Sequence, residues 1–281
     1  MGVKADIYFG DNLNFLKKIK SETVNLIYID PPFNTGRIQT RTSIKTTKSE
    51  DGDRKGYKGK TYKTKILGKK SYSDIFENYI DFLRPRVEES KRILAPDGSF
   101  FLHLDYREVH YAKVMCDEIF GRDSFINEII WSYDYGARSK SKWSTKHDNI
   151  LWYAKDPDNF TFRYDDIDRI PYMAPGLVGP EKANKGKTPT DSWWQTIVSP
   201  NGKEKTGYPT QKPLVILNRI IKVHSNPEDL VLDYFAGSGT TGMAALDLGR
   251  NAILIDSSRE SIEVMKERFD PKITNYHNIN L

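Results

Sequence analysis

Leu230-Val231-Leu232-Asp233-Tyr234-Phe235-Ala236-Gly237-Ser238-Gly239-Thr240-Thr241 is the segment from which the architecture can be built outward. Three apolar residues read as a buried strand, Asp233 closes it, and a glycine loop opens a helix near Thr240. Gly237 and Gly239 let the backbone turn sharply and approach a ligand closely. The helix directs free amide groups and the positive end of its dipole toward that ligand. The spacing is not Gly-x-Gly-x-x-Gly, so a pyrophosphate is not specifically implied. A carboxylate suits the helix end equally well, and Asp233 can face a cationic amino group. Asp256 closes the next strand, Ile253-Leu254-Ile255, 23 residues after Asp233. In doubly wound sheets an acidic side chain reaches ribose hydroxyls from that position.

A second buried run, Val24-Asn25-Leu26-Ile27-Tyr28-Ile29, ends in Asp30-Pro31-Pro32-Phe33. Asp30 offers a carboxylate and Pro31 a carbonyl. Neither proline has an N–H, so this corner presents acceptors where an ordinary turn would present donors. The rings stiffen it, which keeps the acceptors aimed before a substrate arrives. Placed side by side in one sheet, the two strand ends make a site for two ligands. A rigid turn and a tight glycine loop are the plain alternatives.

The two motifs, in this order, resemble those of the DNA amino-methyltransferases that use S-adenosylmethionine. Catalytic motif first and cofactor motif last is the order of the β class. The resemblance runs from about Asp6 to Phe269 and thins between Thr35 and Tyr72 and between Gly136 and Lys205. It implies that Asp30, Pro31, Pro32 and Phe33 form the catalytic corner. It implies that Phe235, Ala236, Gly237, Ser238, Gly239, Thr240 and Thr241 line the methionine part of the cofactor, with Asp256 on the ribose. Family members mostly carry Glu at that last place. Asp11 looks like the residue that meets the adenine amino group, and Thr210-Gln211-Lys212-Pro213 like the motif that completes the pocket. Asp11 and Asp256 also read as plain helix caps.

An exocyclic base amine is a poor nucleophile because its lone pair is delocalised into the ring. Acceptors that hold its N–H groups can turn that lone pair toward a methyl donor. A base inside a duplex must first be flipped out, which costs a few kcal/mol. Stacking on Phe33 would return about 1–3 kcal/mol. By resemblance, Asp at the first motif position favours adenine N6 and Ser cytosine N4, and N4 stays open. Methylation of an RNA base or a protein glutamine, or a DNA-binding subunit without turnover, are the further alternatives.

The net charge of +5 is unevenly spread. Thr35 to Tyr72 holds 12 Lys or Arg and 3 Asp or Glu, a net +9, and the remaining 31 and 35 leave −4. Such a basic segment on an acidic body is a footprint for a polyanion. With few large apolar residues, it reads as a mobile loop that clamps phosphates, with Arg37, Arg41 and Lys45 among its contacts. Residues 136–205 read as a target-recognition insertion. Arg138, Lys140, Lys142 and Lys146, interleaved with Trp143, Trp193, Trp194 and Gln195, are its candidate DNA contacts. His103 and Asp105 end the strand after Gly98 along the same sheet edge; they read as surface caps, with reach into the pocket as the alternative.

Alternating strands and helices predict one α/β domain over residues 1–281. It should be a doubly wound, mostly parallel seven-stranded sheet with an antiparallel edge. The strands expected are 6–9, 24–29, 99–104, 125–133, 149–153, 230–232 and 252–255. Helices are expected over 12–19, 72–94, 107–120, 214–223, 240–248 and 258–269, with a kink at Pro85. Cys116 is the single cysteine, which fits a core side chain in a reducing cytoplasm. Five histidines show no metal-ligand spacing, so no metal is expected. No signal peptide or membrane span is read. The partners expected are double-stranded DNA and, as options the resemblance admits, a second copy of the chain and a cognate restriction enzyme. The expected location is the cytoplasm, at the nucleoid.

Overall fold

The computed structural model describes residues 2–55, 59–199 and 202–278. The chain divides into two compact units, residues 1–31 with 78–281, and residues 32–77. In chain order the strands and helices are β1 (Ala5–Phe9), α1 (Asn12–Leu16), β2 (Val24–Ile29), β3 (Arg37–Lys48), β4 (Arg54–Lys55), β5 (Thr61–Asp74), α2 (Tyr79–Ile93), β6 (Leu94–Leu104) and α3 (Val109–Phe120). There follow β7 (Phe125–Ser132), β8 (His147–Ala154), α4 (Pro180–Lys185), β9 (Ser192–Trp194), α5 (Leu214–His224), β10 (Leu230–Asp233), α6 (Thr240–Asp247), β11 (Asn251–Asp256), α7 (Arg259–Arg268) and β12 (Thr274–His277).

The large unit is built on one sheet in the order β12-β1-β11-β10-β2-β6-β8-β7-β9. From β12 to β6 all neighbours are parallel, and β8 and then β7 run antiparallel at the far side. The seven predicted strands are the inner seven. Two short ones were not predicted, β12 beside β1 and β9 beside β7. The parallel strands are apolar runs because helices cover both faces. Leu26, Ile27, Ile29, Val231 and Leu232 are fully buried. Each such side chain contributes roughly 1.5–3 kcal/mol by leaving water. Helix α6 lies close against this layer at Gly242, where an added Cβ would stand 2.5 Å from Leu254 Cδ1. Cys116 is buried in the core, and burial pushes its thiol well up.

Several element boundaries differ from expectation, α1 ending at Leu16 and α3 starting at Val109 among them. Helix α2 starts at Tyr79, because residues 72–74 belong to β5, and the Asn78 side chain caps it by accepting from the Asp81 amide at 3.2 Å. Pro85 lies inside this helix. Strand β6 begins at Leu94 and passes through Asp97-Gly98, with a register shift against β2 between Val24 and Leu26 in place of a separate turn. No helix among the described residues is long and apolar enough to cross a membrane.

In the small unit the residues read as a basic mobile loop form strands. Strands β3 and β5 pair antiparallel from Arg37↔Asp74 to Lys48↔Tyr62, and β4 pairs with the far end of β5. β3 carries four Thr and two Ile, and β5 two Thr, two Tyr and one Ile, types that favour the pleated backbone. The ladder satisfies backbone groups without a large apolar core. The root is tied by buried Asp74, whose carboxylate accepts from the Asn34 amide at 2.8 Å, the Thr35 amide at 3.1 Å and the Thr35 hydroxyl at 2.6 Å.

Candidate active site

Strands β10 and β2 are neighbours, with Val231 beside Leu26 and Leu232 beside Ile27. Their carboxyl ends therefore emerge together, one carrying the glycine loop and the other Asp30. This is the crevice where strand order reverses in an open α/β sheet, the usual place for a ligand. Gly237 and Gly239 have φ of +52° and +74°. A Cβ at Gly239 would stand 2.7 Å from Phe269 Cε2, and one at Gly237 3.1 Å from Tyr208 Cε1. Both glycines are thus required by the backbone and by what packs on it.

Asp233 ties this loop to its strand. It accepts from the Thr241 hydroxyl at 2.5 Å and from the Phe235 amide at 2.9 Å. Burial pushes its carboxyl up to about 7 despite those two bonds, with the charges of Asp30 and Asp256 adding to the rise. Asp256 accepts from the Gly237 amide at 2.7 Å and the Ser258 amide at 2.8 Å. Burial also raises its carboxyl, against those amide bonds. Asp256 thus joins the glycine loop to the start of α7, whose own N-cap is Ser258. Ser238 and Thr240 bond to one another and to Arg268.

A cleft of about 160 Å³ opens beside this loop, lined by Gly10, Asp11, Asn12, Phe82, Arg86, Tyr234, Phe235, Asp256 and Ser257. Phe82 and Phe235 stand 6.0 Å apart between ring centroids, and the Arg86 guanidinium lies 4.0 Å over Phe82. Arg86 also donates to Asn12 Oδ1 at 2.7 Å and pairs with Asp11 at 3.6 Å. Asp11 is the N-cap of α1, accepting from the Leu13 amide at 2.8 Å, and it faces the cleft as well. Asp11 is thus a helix cap that also lines the cleft, whereas Asp256 lines the cleft and leaves the capping of α7 to Ser258. Asn12, Phe82, Arg86 and Tyr234 were missed as lining residues. Phe82 and Arg86 follow each other by one helical turn, a spacing that also describes an ordinary packed face.

Asp30 stands at the end of β2 among charged groups. Lys212 Nζ meets its Oδ2 at 2.5 Å. Its Oδ1 is buried and has no hydrogen-bond partner among the described residues. His103 Nδ1 is 3.9 Å from that oxygen. His103 is fully buried, not a surface cap, and its nitrogens meet the Tyr28 hydroxyl at 2.6 Å and Asp148 Oδ2 at 3.3 Å. Tyr133 donates to Asp148 Oδ1 at 3.1 Å. Burial alone would raise the Asp148 carboxyl, but the bond and charge of His103, with Lys212 and Tyr133, hold it below the usual range. Asp105, the other residue read as a surface cap, is buried too and pairs with Arg107. Of the Thr210-Gln211-Lys212-Pro213 motif, Lys212 reaches Asp30, Gln211 braces Thr206 and Glu204, and Thr210 is exposed. Pro31 is buried beside Asp30 in sequence, while Pro32 and Phe33 open the smaller unit.

The candidate DNA contacts divide. Lys140 and Lys142 are exposed, and Trp143 is 96% exposed between them and Lys146. Arg138 is paired with Asp134 at 2.5 Å, and Lys146 donates to the Tyr135 carbonyl. Trp194 is exposed, but Trp193 is core: it is 8% exposed, donates to the Thr190 carbonyl at 2.9 Å and carries Arg219 over its ring. The Gln195 main chain is used in structure, its amide donating to Ser132 and its carbonyl accepting from the Trp131 indole. Arg37 is exposed at the start of β3. Arg41 and Lys45 follow on the same strand, and their side chains lie outside what the structure describes.

Similarity to known proteins agrees with this geometry. The N6/N4 DNA methylase family matches residues 24–267. The chain is 32% identical over 277 residues to the DNA adenine methyltransferase YhdJ of Escherichia coli (strain K12), covering 94% of this chain and 82% of that protein. It is 29% identical over 265 residues to the Type II methyltransferase M.HpaI of Haemophilus parainfluenzae, covering 94% and 74%. Among solved structures, the fold is shared with M1.HpyAVI, solved as its SAM complex, at a TM-score of 0.60 and 23% identity over 94% of this chain and 98% of that one. It is shared also with the PvuII cytosine-N4-specific DNA methyltransferase, at 0.63 and 19% over 97% and 89%. With a sheet whose crevice brings the glycine loop beside Asp30, and with most of its length matched, this chain belongs to the N6/N4 family of DNA methylases.

Proposed function

We propose that this protein transfers a methyl group from S-adenosylmethionine to the N6 amine of an adenine flipped out of duplex DNA. The observation that carries the reading is Asp30 Oδ1, a buried carboxylate oxygen without a donor among the described residues, at the end of the strand next to the one that carries the glycine loop. A buried acceptor left unpaired costs about 1–3 kcal/mol, more when charged, and such groups are kept for a reason. An amine N–H arriving there would relieve that cost.

The cleft residues fit the cofactor. Phe82 and Phe235 offer apolar walls for a purine, Asp11 an acceptor for its amino group, and Asp256 retains lone pairs for a ribose hydroxyl. Bound there, S-adenosylmethionine supplies an electrophilic methyl group. Asp30 accepts an N–H of the target amine and turns its lone pair outward, and Pro31 supplies a second acceptor through its carbonyl. Lys212 braces the carboxylate by donating to its other oxygen, Oδ2, at 2.5 Å. The proton that the methylated amine sheds can leave late through Asp30. Likeness to proteins named DNA adenine methyltransferase and Type II methyltransferase supports adenine as target and a cognate restriction enzyme as genetic companion. Incubation with labelled S-adenosylmethionine and mixed-sequence duplex DNA, followed by nucleoside analysis, should return N6-methyladenine. N4-methylcytosine as the labelled product would replace this reading.

Asp233 makes the cofactor end pH-dependent. Its folded pKa of about 7 stands above the ordinary 3.8, so the folded chain holds more protons than the unfolded one between those values. Stability therefore falls as pH rises from about 4 to about 7, and the contribution is present below the lower value. A cationic amino group beside Asp233 favours the ionised form. Thermal melting of the free protein should fall across this window while the rise in Tm caused by S-adenosylhomocysteine grows. Asp233→Asn should flatten both trends. A ligand-induced shift that ignores pH would remove Asp233 from the amino-group contact.

A further inference from the structure

The buried group beside Asp30 has a determinate proton arrangement. His103 lies between Tyr28 of β2 and Asp148 of β8, with Nδ1 2.6 Å from the Tyr28 hydroxyl and Nε2 3.3 Å from Asp148 Oδ2. Burial, with the charges of Asp30, Asp233 and Asp148 adding, pushes the Tyr28 hydroxyl well above its ordinary value, so it keeps its proton. Asp148 accepts from the Tyr133 hydroxyl on Oδ1 and turns Oδ2 toward Nε2, and a carboxylate can only accept. In a neutral imidazole the ring proton must then sit on Nε2, and Nδ1 must accept from Tyr28. The other groups turned toward this cluster are Asp30 of β2, Lys212 before α5, Tyr133 after β7 and, by charge, Asp105 after β6.

That arrangement decides what Asp30 can do. Its Oδ1 is 3.9 Å from His103 Nδ1 and has no donor. If Nδ1 carried a proton, a small shift would bring it into hydrogen-bond range of Oδ1, and the substrate amine would have to displace it. We infer that His103 is a positioning residue: Asp148 and Tyr28, acting on its two nitrogens, hold it in the Nε2–H form so that Asp30 Oδ1 stays open for the target amine. The inference rests on the reading of Asp30 as the amine acceptor. It also explains why a hydroxyl and a second carboxylate are buried behind the catalytic corner, where an apolar core would be simpler to pack.

Tyr28→Phe removes the donor to Nδ1 and leaves the ring volume in place. Asp148→Asn acts from the other side, because its amide can donate to Nε2 and so favour a proton on Nδ1. Nitrogen-15 spectra of the five histidines, with His103 assigned from His103→Gln, read the tautomer directly. The wild type and Tyr28→Phe at neutral pH should both show Nε2–H, because the Asp148 carboxylate accepts from that nitrogen in each, and Asp148→Asn should show Nδ1 protonated. Single-turnover methylation should fall by about tenfold in Asp148→Asn, roughly one charge-assisted hydrogen bond to be displaced, and by less in Tyr28→Phe. Binding of S-adenosylhomocysteine, measured by calorimetry, should not change. A wild-type proton on Nδ1, or an Asp148→Asn variant that keeps Nε2–H, would overturn the inference. So would an altered tautomer with an unaltered rate. If the wild type shows Nε2–H yet methylates no base amine, the positioning of Asp30 stands and the assigned reaction fails.

Discussion

Asp30→Asn should lower the rate of methyl transfer by about 10²–10³-fold while leaving the affinity for S-adenosylhomocysteine within about twofold of wild type. The change keeps the side-chain volume at the end of β2, so the strand and its neighbours should persist. It removes the charge that Lys212 meets at 2.5 Å and turns a pure acceptor into a group that also donates. An amide N–H facing the target amine would repel it, and the neutral carbonyl oxygen would polarise it less. The cleft beside the glycine loop does not include Asp30 among its lining residues, which is why cofactor affinity should hold. Single-turnover rates with duplex DNA and calorimetry with the cofactor product separate the two quantities. Equal loss of both would make Asp30 a structural residue, and an unchanged rate would end the case for it as the amine acceptor.

The parts of this site that lie within one strand-turn-helix segment could be read before any coordinates. Asp233 to Thr241 carries its own punctuation, an apolar run, two glycines at positive φ and a helix start. The inner seven strands were readable for the same reason, since runs such as Val24–Ile29 have no polar break wide enough for a turn. What escaped depends on register between distant segments. His103 meets Asp148 because β6 and β8 pair antiparallel, with Leu104 beside Asn149 and His103 beside Ile150. No local pattern marks either residue as a partner of Asp30. Arg86 is similar: a cation inside an amphipathic helix usually faces water, and here it is buried against Asn12 and Phe82. Trp193 misled in the opposite direction, since an aromatic among basic residues suits DNA but also suits the packing under β9. The basic arm was misjudged through its core. Counting apolar residues measures what can be buried, whereas a long antiparallel ribbon is held largely by its ladder.

Shortening that ribbon is the second large effect. Replacing residues 42–69 with Asn-Gly would leave Arg41 and Lys70 paired and close the strands with a two-residue turn that matches their twist. The segment removed carries nine Lys or Arg and three Asp or Glu. If its cations neutralise phosphates, each phosphate that the shortened protein no longer neutralises should lower the slope of log affinity against log salt by about 0.9. A protein that neutralises six to ten phosphates weakens by about 10³–10⁵ in affinity between low and physiological salt, so removing most of these cations should be visible at any single salt concentration as well. Binding of the cofactor product should persist, because the cleft is lined entirely by residues outside 32–77. The decisive comparison is across sequences. Phosphate binding carries no base information, so the shortened protein should lose affinity for all duplexes alike and keep its ratio of target to non-target binding. A flattened slope with that ratio intact would identify the ribbon as the electrostatic grip and leave base reading to other surfaces. A slope that does not move would mean that nine cations face only solvent, and the polyanion would have to be sought around Lys140 and Lys142 instead.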